Sequence, residues 1–145
     1  MIKEVRHIGI VVNNIENSLN FYKDLLGLKI VRDMDEHGSH LDNMLSLDKV
    51  EVRTVKLSVN DNITLIELLE FKSHNDDEVR NFYTIGASHV AFTVENIEKL
   101  YQDLSGKDVE FNAPPQKSSD GLVKVTFCKD PDGTPIELVE ILNSV

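Results

Sequence analysis

Thr64-Leu65-Ile66-Glu67-Leu68-Leu69-Glu70 recurs in the second half of the chain as Thr134-Pro135-Ile136-Glu137-Leu138-Val139-Glu140. Upstream of each copy lies a strand-like run that opens on a histidine, His7-Ile8-Gly9-Ile10 before the first and His89-Val90-Ala91-Phe92 before the second. Self-similarity with a constant order of motifs indicates a repeated structural unit. The sequence therefore predicts two copies of one module, and each copy brings one histidine and one glutamate.

Each copy also predicts the same succession of one strand, one helix and three strands. In the first copy residues 4–12 are rich in β-forming residues, Asn14 is suited to cap a helix, and Gly27 ends the apolar stripe of that helix. Asn96 and Gly106 bound the second helix in the same way. The predicted strands that follow the helices are residues 28–34, 50–58 and 63–71 in the first copy and residues 108–112, 122–128 and 135–141 in the second.

Turn sequences stand directly before both final strands. They are Asp61-Asn62 in the first copy and Asp130-Pro131-Asp132-Gly133 in the second, where proline presets φ and glycine accepts a positive φ. Both final strands are therefore expected to be delivered by tight hairpins.

Composition limits the classes of partner and compartment. The 145 residues include 25 acidic and 15 basic ones, and the formal charge of −10 leaves no basic surface for nucleic acid. No apolar run approaches the roughly 20 residues of a membrane span, and the first residues lack the pattern of a secretory signal. Cys128 is the only cysteine, which excludes an intrachain disulfide and a thiolate zinc site. We expect a cytoplasmic protein, no membrane contact, and a small or cationic partner.

The duplicated histidines and glutamates have the chemistry of metal ligands. Strand alternation places Glu67 on the same face as Leu65 and Leu69, and a carboxylate on an apolar face is costly unless it is paired or binds a metal. Two imidazoles and two carboxylates suit nickel, cobalt, zinc, manganese or iron. Taken singly, each of these residues is typical of a structural or surface position. The metal interpretation depends on the duplication, because a structural residue has no evident reason to recur in both copies.

Other charged residues are interpreted differently. Glu70 and Glu140 are expected to be solvated surface charges. Arg53 shares a predicted strand face with Val55 and Leu57 and is a candidate to bind a substrate carboxylate, with a cross-strand pairing to a glutamate as the competing interpretation.

The motifs of both copies resemble those of the vicinal oxygen chelate superfamily, which includes glyoxalase I, methylmalonyl-CoA epimerase, extradiol dioxygenases and bleomycin resistance proteins. The resemblance implies an α+β fold, a single domain over residues 1–145 made of two tandem βαβββ modules at about 4–71 and 87–141, with mixed sheets that form a cup around a metal. Carried over by position, the metal ligands are His7, Glu67, His89 and Glu137. Fosfomycin-resistance proteins and dioxygenases usually lack the ligand at Glu67, so the full set favours the glyoxalase and epimerase branch.

That branch implies a metal-dependent lyase or isomerase of the glyoxalase I type, which stabilises an enediolate of a small carbonyl substrate. Glu137 or Glu67 would act as the catalytic base, and we favour Glu137 because its turn is better defined. The alternatives are an enzyme like methylmalonyl-CoA epimerase with a thioester substrate, a ferrous-iron dioxygenase, and a metal-free binding protein of the bleomycin-resistance type. We expect a homodimer, and the sequence leaves open whether the site forms within one chain or across two.

Overall fold

The computed structural model describes residues 1–142 apart from Asn62, Asp77 and Val79. The predicted turn at Asp61-Asn62 lies partly outside these residues. The chain divides into two compact units, Met1–Glu78 and Val79–Val145.

The first unit contains one sheet of four strands. Its elements are β1 (His7–Val11), α1 (Ile15–Leu19), a π-helical segment (Asn20–Leu25), β2 (Lys29–His37), α2 (Ser39–Leu45), β3 (Glu51–Ser58) and β4 (Leu65–Phe71). The strand order is β1-β4-β3-β2, in which β1 pairs with β4 in parallel and the other pairs are antiparallel.

The second unit repeats this arrangement. Its elements are β5 (Val90–Thr93), α3 (Ile97–Ser105), β6 (Gln116–Lys117), β7 (Val123–Lys129) and β8 (Pro135–Ile141). The strand order β5-β8-β7-β6 again has one parallel pair, β5 with β8. The predicted α+β class with two βαβββ modules is therefore confirmed.

Each unit buries one face of its sheet under its first helix. In the first unit Val55, Leu57 and Leu68 are fully buried, as are Ile15 and Tyr22. The second unit buries its own equivalent residues, which include Ile97, Leu104, Cys128, Ile136 and Leu138. This helix face holds the apolar residues that alternate with the candidate ligands along β4 and β8. The ligands consequently lie on the opposite face of each sheet.

The opposite face of the first unit is partly covered by α2. Leu41 of this helix forms a small core with Val50 and Val52, against which Leu69 and Phe71 also pack. Val52 is the register partner of Phe71, and alternation along β4 puts Phe71 on the face of Glu67. The segment after β2 thus forms a short helix at one end of this face.

One local prediction was wrong. The predicted strand at 108–112 does not form; Phe111 makes only an isolated bridge to Cys128, and the short β6 comes later. The first helix continues as a π-helix, with the Leu26 N–H donating to the Phe21 carbonyl five residues earlier. The wider turn lets Phe21 and Tyr22 both point into the core, with their rings edge to face at 5.0 Å.

In the part of the chain that the structure describes, no helix is both long and apolar enough to cross a membrane.

Candidate metal centre

The first histidine and the first glutamate form a pair within the first unit. Glu67 of β4 is the register partner of Gly9 in the parallel strand β1, so alternation along β1 places His7 on the same sheet face as Glu67. The His7 Nε2 atom lies 3.0 Å from Glu67 Oε2. The carboxylate is well buried, with 13% of its side chain exposed, whereas the imidazole is 34% exposed. The pair therefore presents an accessible imidazole beside a largely desolvated carboxylate.

The second unit forms the corresponding pair. His89 directly precedes β5, and Glu137 of β8 is the register partner of Ala91. The His89 Nε2 atom lies 2.9 Å from Glu137 Oε2, and the two side chains are 31% and 21% exposed. The structure thus brings each predicted histidine together with its predicted glutamate in two separate pairs of matching geometry.

A small residue stands opposite the glutamate in both units. The strand positions are Gly9 and Ala91, each two residues after its histidine. A Cβ atom added at Gly9 would lie 3.2 Å from Leu69 Cδ1, which is closer than ordinary van der Waals contact. The close approach at Gly9 is therefore to Leu69.

The surroundings of the two pairs differ. In β3, Lys56 is the register partner of Glu67, and its Nζ atom lies 3.4 Å from Glu67 Oε1. The equivalent position opposite Glu137 in β7 is Phe127. A lysine therefore neutralises the first glutamate, while an aromatic ring flanks the second.

The imidazole of His89 is held by several neighbours. Its ring stacks on Phe82 with centroids 5.7 Å apart and meets Phe127 edge to face at 5.2 Å. The Ser88 Oγ atom lies 2.9 Å from His89 Nδ1. A contact at Nδ1 leaves Nε2 directed at Glu137, which is the orientation that partners of metal-binding histidines commonly impose.

The geometry of each pair fits two neighbouring positions of a metal ion. Imidazole nitrogen and carboxylate oxygen bind transition metals at roughly 2.0–2.2 Å, so two such ligands at right angles lie about 3 Å apart. The observed separations of 3.0 and 2.9 Å match that value and are also those of ordinary hydrogen bonds. Among the described residues, no group of three or more His, Cys, Asp or Glu side chains is arranged to hold a metal ion. Each unit by itself therefore offers one imidazole nitrogen and one carboxylate oxygen as candidate ligands.

Arg53, the candidate substrate-binding residue, lies on the helix face, opposite the face of Lys56 and Glu67. Its guanidinium donates two hydrogen bonds to Asp33, at 3.0 and 2.8 Å, and one to Glu16 at 2.6 Å. The hydrogen bond from Arg53 lowers the pKa of Asp33, and its bonds to Asp33 and Glu16 raise the pKa of Arg53. A role in substrate binding stays a prediction, but these contacts favour the cross-strand pairing.

The expectation that Glu70 and Glu140 are solvated charges was wrong. Glu140 Oε2 accepts a hydrogen bond of 2.8 Å from the backbone N–H of Ile97, the first residue of α3. Glu70 Oε2 accepts the equivalent bond from the N–H of Ile15, at 3.4 Å. A carboxylate at a helix N-terminus satisfies an unpaired N–H and interacts favourably with the helix dipole. Both glutamates therefore hold the helix of their own unit onto its sheet.

The rest of this helix-anchoring arrangement is duplicated as well. Asn14 and Asn96 cap their helices through side-chain bonds of 2.9 Å. Lys124, at the position opposite Glu140, donates to Glu98 of the first turn of α3 at 2.9 Å, and this bond raises the pKa of Lys124. Lys124 thus pairs with a glutamate in the first turn of the helix in the second unit, as Arg53 does in the first.

Comparison with known proteins places the chain in a family. The model of the Glyoxalase/Bleomycin resistance protein/Dioxygenase superfamily matches residues 4–138, and the chain belongs to this superfamily. The uncharacterized protein YwkD of Bacillus subtilis is 31% identical over 142 residues, which cover 97% of this chain and 98% of YwkD. The crystal structure of a glyoxalase family protein from Bacillus cereus aligns with a TM-score of 0.85 at 22% identity and 97% coverage of both chains, which supports the fold.

Relatives with named activities differ among themselves. A lactoylglutathione lyase of Neisseria meningitidis serogroup B is 28% identical over 138 residues, covering 92% of this chain and 88% of the lyase. The metallothiol transferase FosB of Staphylococcus saprophyticus is 29% identical over 140 residues, covering 95% of this chain and 77% of FosB. Membership of the superfamily therefore narrows the chemistry without selecting one reaction.

Proposed function

We propose that this protein is a metal-dependent lyase or isomerase of the glyoxalase I type, which acts on a small carbonyl compound. The observation that carries the proposal is the matched geometry of two His–Glu pairs. Each pair lies on the sheet face opposite the helix, and each has a distance between the imidazole nitrogen and the carboxylate oxygen that suits two ligands of one metal ion. The similarity to lactoylglutathione lyases supports the same class of reaction.

The proposed ligand set consists of His7, Glu67, His89 and Glu137. Two nitrogen and two oxygen ligands would suit nickel, cobalt, zinc, manganese or iron, and oxygens of the substrate would take any position that the protein leaves open. When bound, such an ion supplies Lewis-acid stabilisation of the oxyanion that develops during proton removal. The two pairs would be brought together either within one chain or across two chains. We propose that the protein is a homodimer.

Glu137 is the proposed catalytic base, whose carboxylate takes the proton from the carbon beside the substrate carbonyl. Glu67 is held from two sides, by His7 at one oxygen and by Lys56 at the other. Glu137 faces Phe127 at the position of that lysine and has the more exposed side chain. A carboxylate without an ammonium partner at that position is better suited to exchange a proton, whereas Glu67 is suited to remain a fixed ligand.

Metal content is the first test of the proposal. Elemental analysis of purified protein should find one transition metal ion per completed site, and added nickel, cobalt or manganese should raise the melting temperature because binding stabilises the folded state. Glu67→Gln and Glu137→Gln should each reduce this shift. Glu70→Gln and Glu140→Gln are matched controls on the same strands and should keep it. Absence of metal from the protein together with no thermal shift would contradict the proposal.

Proton exchange distinguishes the reactions that remain. The metal-loaded protein should catalyse exchange into deuterated water with the methylglyoxal–glutathione adduct or a related α-carbonyl compound, and Glu137→Gln should remove this activity while keeping part of the metal affinity. Exchange only with methylmalonyl-CoA would support the epimerase alternative. Oxygen consumption with a catechol would support the ferrous dioxygenase. Ligand binding without metal would support the bleomycin-resistance type of protein.

A further inference from the structure

Three basic side chains, those of Lys56, Arg32 and Lys29, lie on the sheet face of the first His–Glu pair, with Lys29 further along as the partner of Ser58. Lys56 of β3 is the register partner of Glu67 on one side and of Arg32 on the other. Register partners point to the same face, so Arg32, Lys56 and Glu67 form one row across three strands. The Lys56 side chain is only 20% exposed, whereas Arg32 is exposed at the edge of the sheet.

A break in the strand pairing places Arg32 in this row. The register of β2 against β3 shifts between Ile30 and Arg32, so that Arg32 rather than Val31 stands opposite Lys56. A bulge of this kind re-aims the following side chains, and bulges are frequent beside functional sites. Without it, the arginine would lie on the helix face and an apolar valine would adjoin the lysine.

Two like charges at directly opposite positions destabilise a sheet unless anions compensate them. Glu67 is one such anion, through its 3.4 Å contact with Lys56. Glu36 lies on the same face, since it is the partner of Val52, but its Oε2 accepts a hydrogen bond from Thr54 Oγ1 at 3.0 Å. The proposed ion would offset the charges of Glu67 and Glu137, and among the strand residues that the described register puts on this face, Glu36 is then the remaining acidic one against Lys56, Arg32 and Lys29. The occupied centre then carries an excess of positive charge.

We propose that Lys56 and Arg32 form a subsite for a carboxylate on the substrate, on the sheet face of the first His–Glu pair. This inference rests on the proposed function and specifies its substrate class: a small carbonyl compound that carries a carboxylate, in preference to a neutral one. Arg53 is already paired with acidic residues on the helix face, so we assign anion binding instead to the basic residues on the face of Glu67.

Two hydroxamates of matched length test this subsite directly. Butanohydroxamic acid and succinic monohydroxamic acid share a chelating head of two neighbouring oxygens and differ by a methyl group against a carboxylate. Their affinities for the cobalt-loaded protein are measured by calorimetry, together with the affinity of the protein for cobalt itself. The variants are Lys56→Met and Arg32→Met, with Lys23→Met as a control, because Lys23 is an exposed lysine paired with Asp24 on the helical segment.

Wild-type protein and Lys23→Met should bind the succinic compound at least about 10-fold more tightly than the butanoic one, as expected for a hydrogen-bonded charge pair. Lys56→Met and Arg32→Met should each lose most of that preference, while the affinity for butanohydroxamic acid stays within about 3-fold. Lys56→Met should also bind cobalt more tightly, because a cation beside Glu67 is removed.

Equal binding of the two hydroxamates by wild-type protein, or a preference that survives both substitutions, would overturn the subsite while leaving the proposed function intact. Failure of wild-type protein to bind cobalt, or of the cobalt-loaded protein to bind either hydroxamate, would instead overturn the proposed function on which the subsite rests.

Discussion

The anchoring of α3 by Glu140 gives a sharp test of the structure, independent of any metal. The perturbation is Glu140→Ala, which removes the acceptor of the 2.8 Å bond from the N–H of the fully buried Ile97. A hydrogen bond to a charged group contributes about 1.5–3 kcal/mol. We therefore expect a loss of about 2 kcal/mol in the free energy of unfolding. The matched variant Glu70→Ala removes a bond of 3.4 Å, and at that length we expect a loss of about 0.5–1 kcal/mol.

A second substitution separates the hydrogen bond from the charge. Glu140→Gln keeps an oxygen acceptor but loses the interaction of the carboxylate with the helix dipole, which is worth about 0.3–1 kcal/mol. Glu110→Ala removes an exposed ion pair with Lys129 and serves as the control, with an expected effect of at most about 0.5 kcal/mol.

Urea denaturation followed by far-ultraviolet circular dichroism measures all four variants. The expected order of destabilisation is Glu140→Ala, then Glu70→Ala and Glu140→Gln, then Glu110→Ala. Equal losses for Glu140→Ala and Glu110→Ala would refute the anchoring role. A loss for Glu140→Gln as large as that for Glu140→Ala would refute the assignment of the effect to the hydrogen bond.

Three further predictions concern a close approach, an ion pair and the cysteine. Gly9→Ala should cost at most about 1 kcal/mol, since the new Cβ needs Leu69 Cδ1 to move by a few tenths of an ångström, whereas Gly9→Val should overpack this contact and cost about 1–3 kcal/mol by thermal denaturation. The pKa of Asp33 is lower in the folded state, so the stability from its pair with Arg53 is present above about pH 4 and is lost as the pH falls through the folded pKa. Arg53→Met should therefore flatten the acid limb of the stability curve, by less than about 1 kcal/mol because Asp33 is partly exposed. Burial raises the pKa of the Cys128 thiol to about 11, so a thiol reagent at pH 8 should label it only after unfolding, and rapid labelling of the folded protein would contradict the buried position.

Patterns that repeat along the chain predicted most of the fold. The strands around His7, Glu67 and Glu137 were found because alternation and turn sequences specify them locally. The strand predicted at 108–112 failed because that segment makes only one bridge to β7, and the next residues of the loop pair instead. Local propensity does not determine which part of a loop reaches a sheet edge.

The register between strands could not be predicted from the sequence, and the candidate site depends on this register. Lys56 could be assigned to the face opposite Arg53 by counting, but its position beside Glu67 depends on the path of the hairpin between β3 and β4. Arg32 is a stronger case, because the shift at the bulge reverses the face that simple alternation would assign to it.

The presence of a residue in both modules does not by itself identify it as a metal ligand. Glu70 and Glu140 recur in the same heptapeptides as Glu67 and Glu137, and their shared role is to anchor a helix. A repeated module copies its structural residues along with any functional ones, so recurrence alone does not separate the two kinds. The sheet face makes the distinction. The anchoring glutamates face the helix, whereas Glu67 and Glu137 face away from it, and a carboxylate oxygen of each lies 3.0 or 2.9 Å from a histidine Nε2 atom. Recurrence, sheet face and histidine partner together distinguish Glu67 and Glu137 from the anchoring glutamates, and the variants Glu67→Gln and Glu70→Gln test this distinction within one strand.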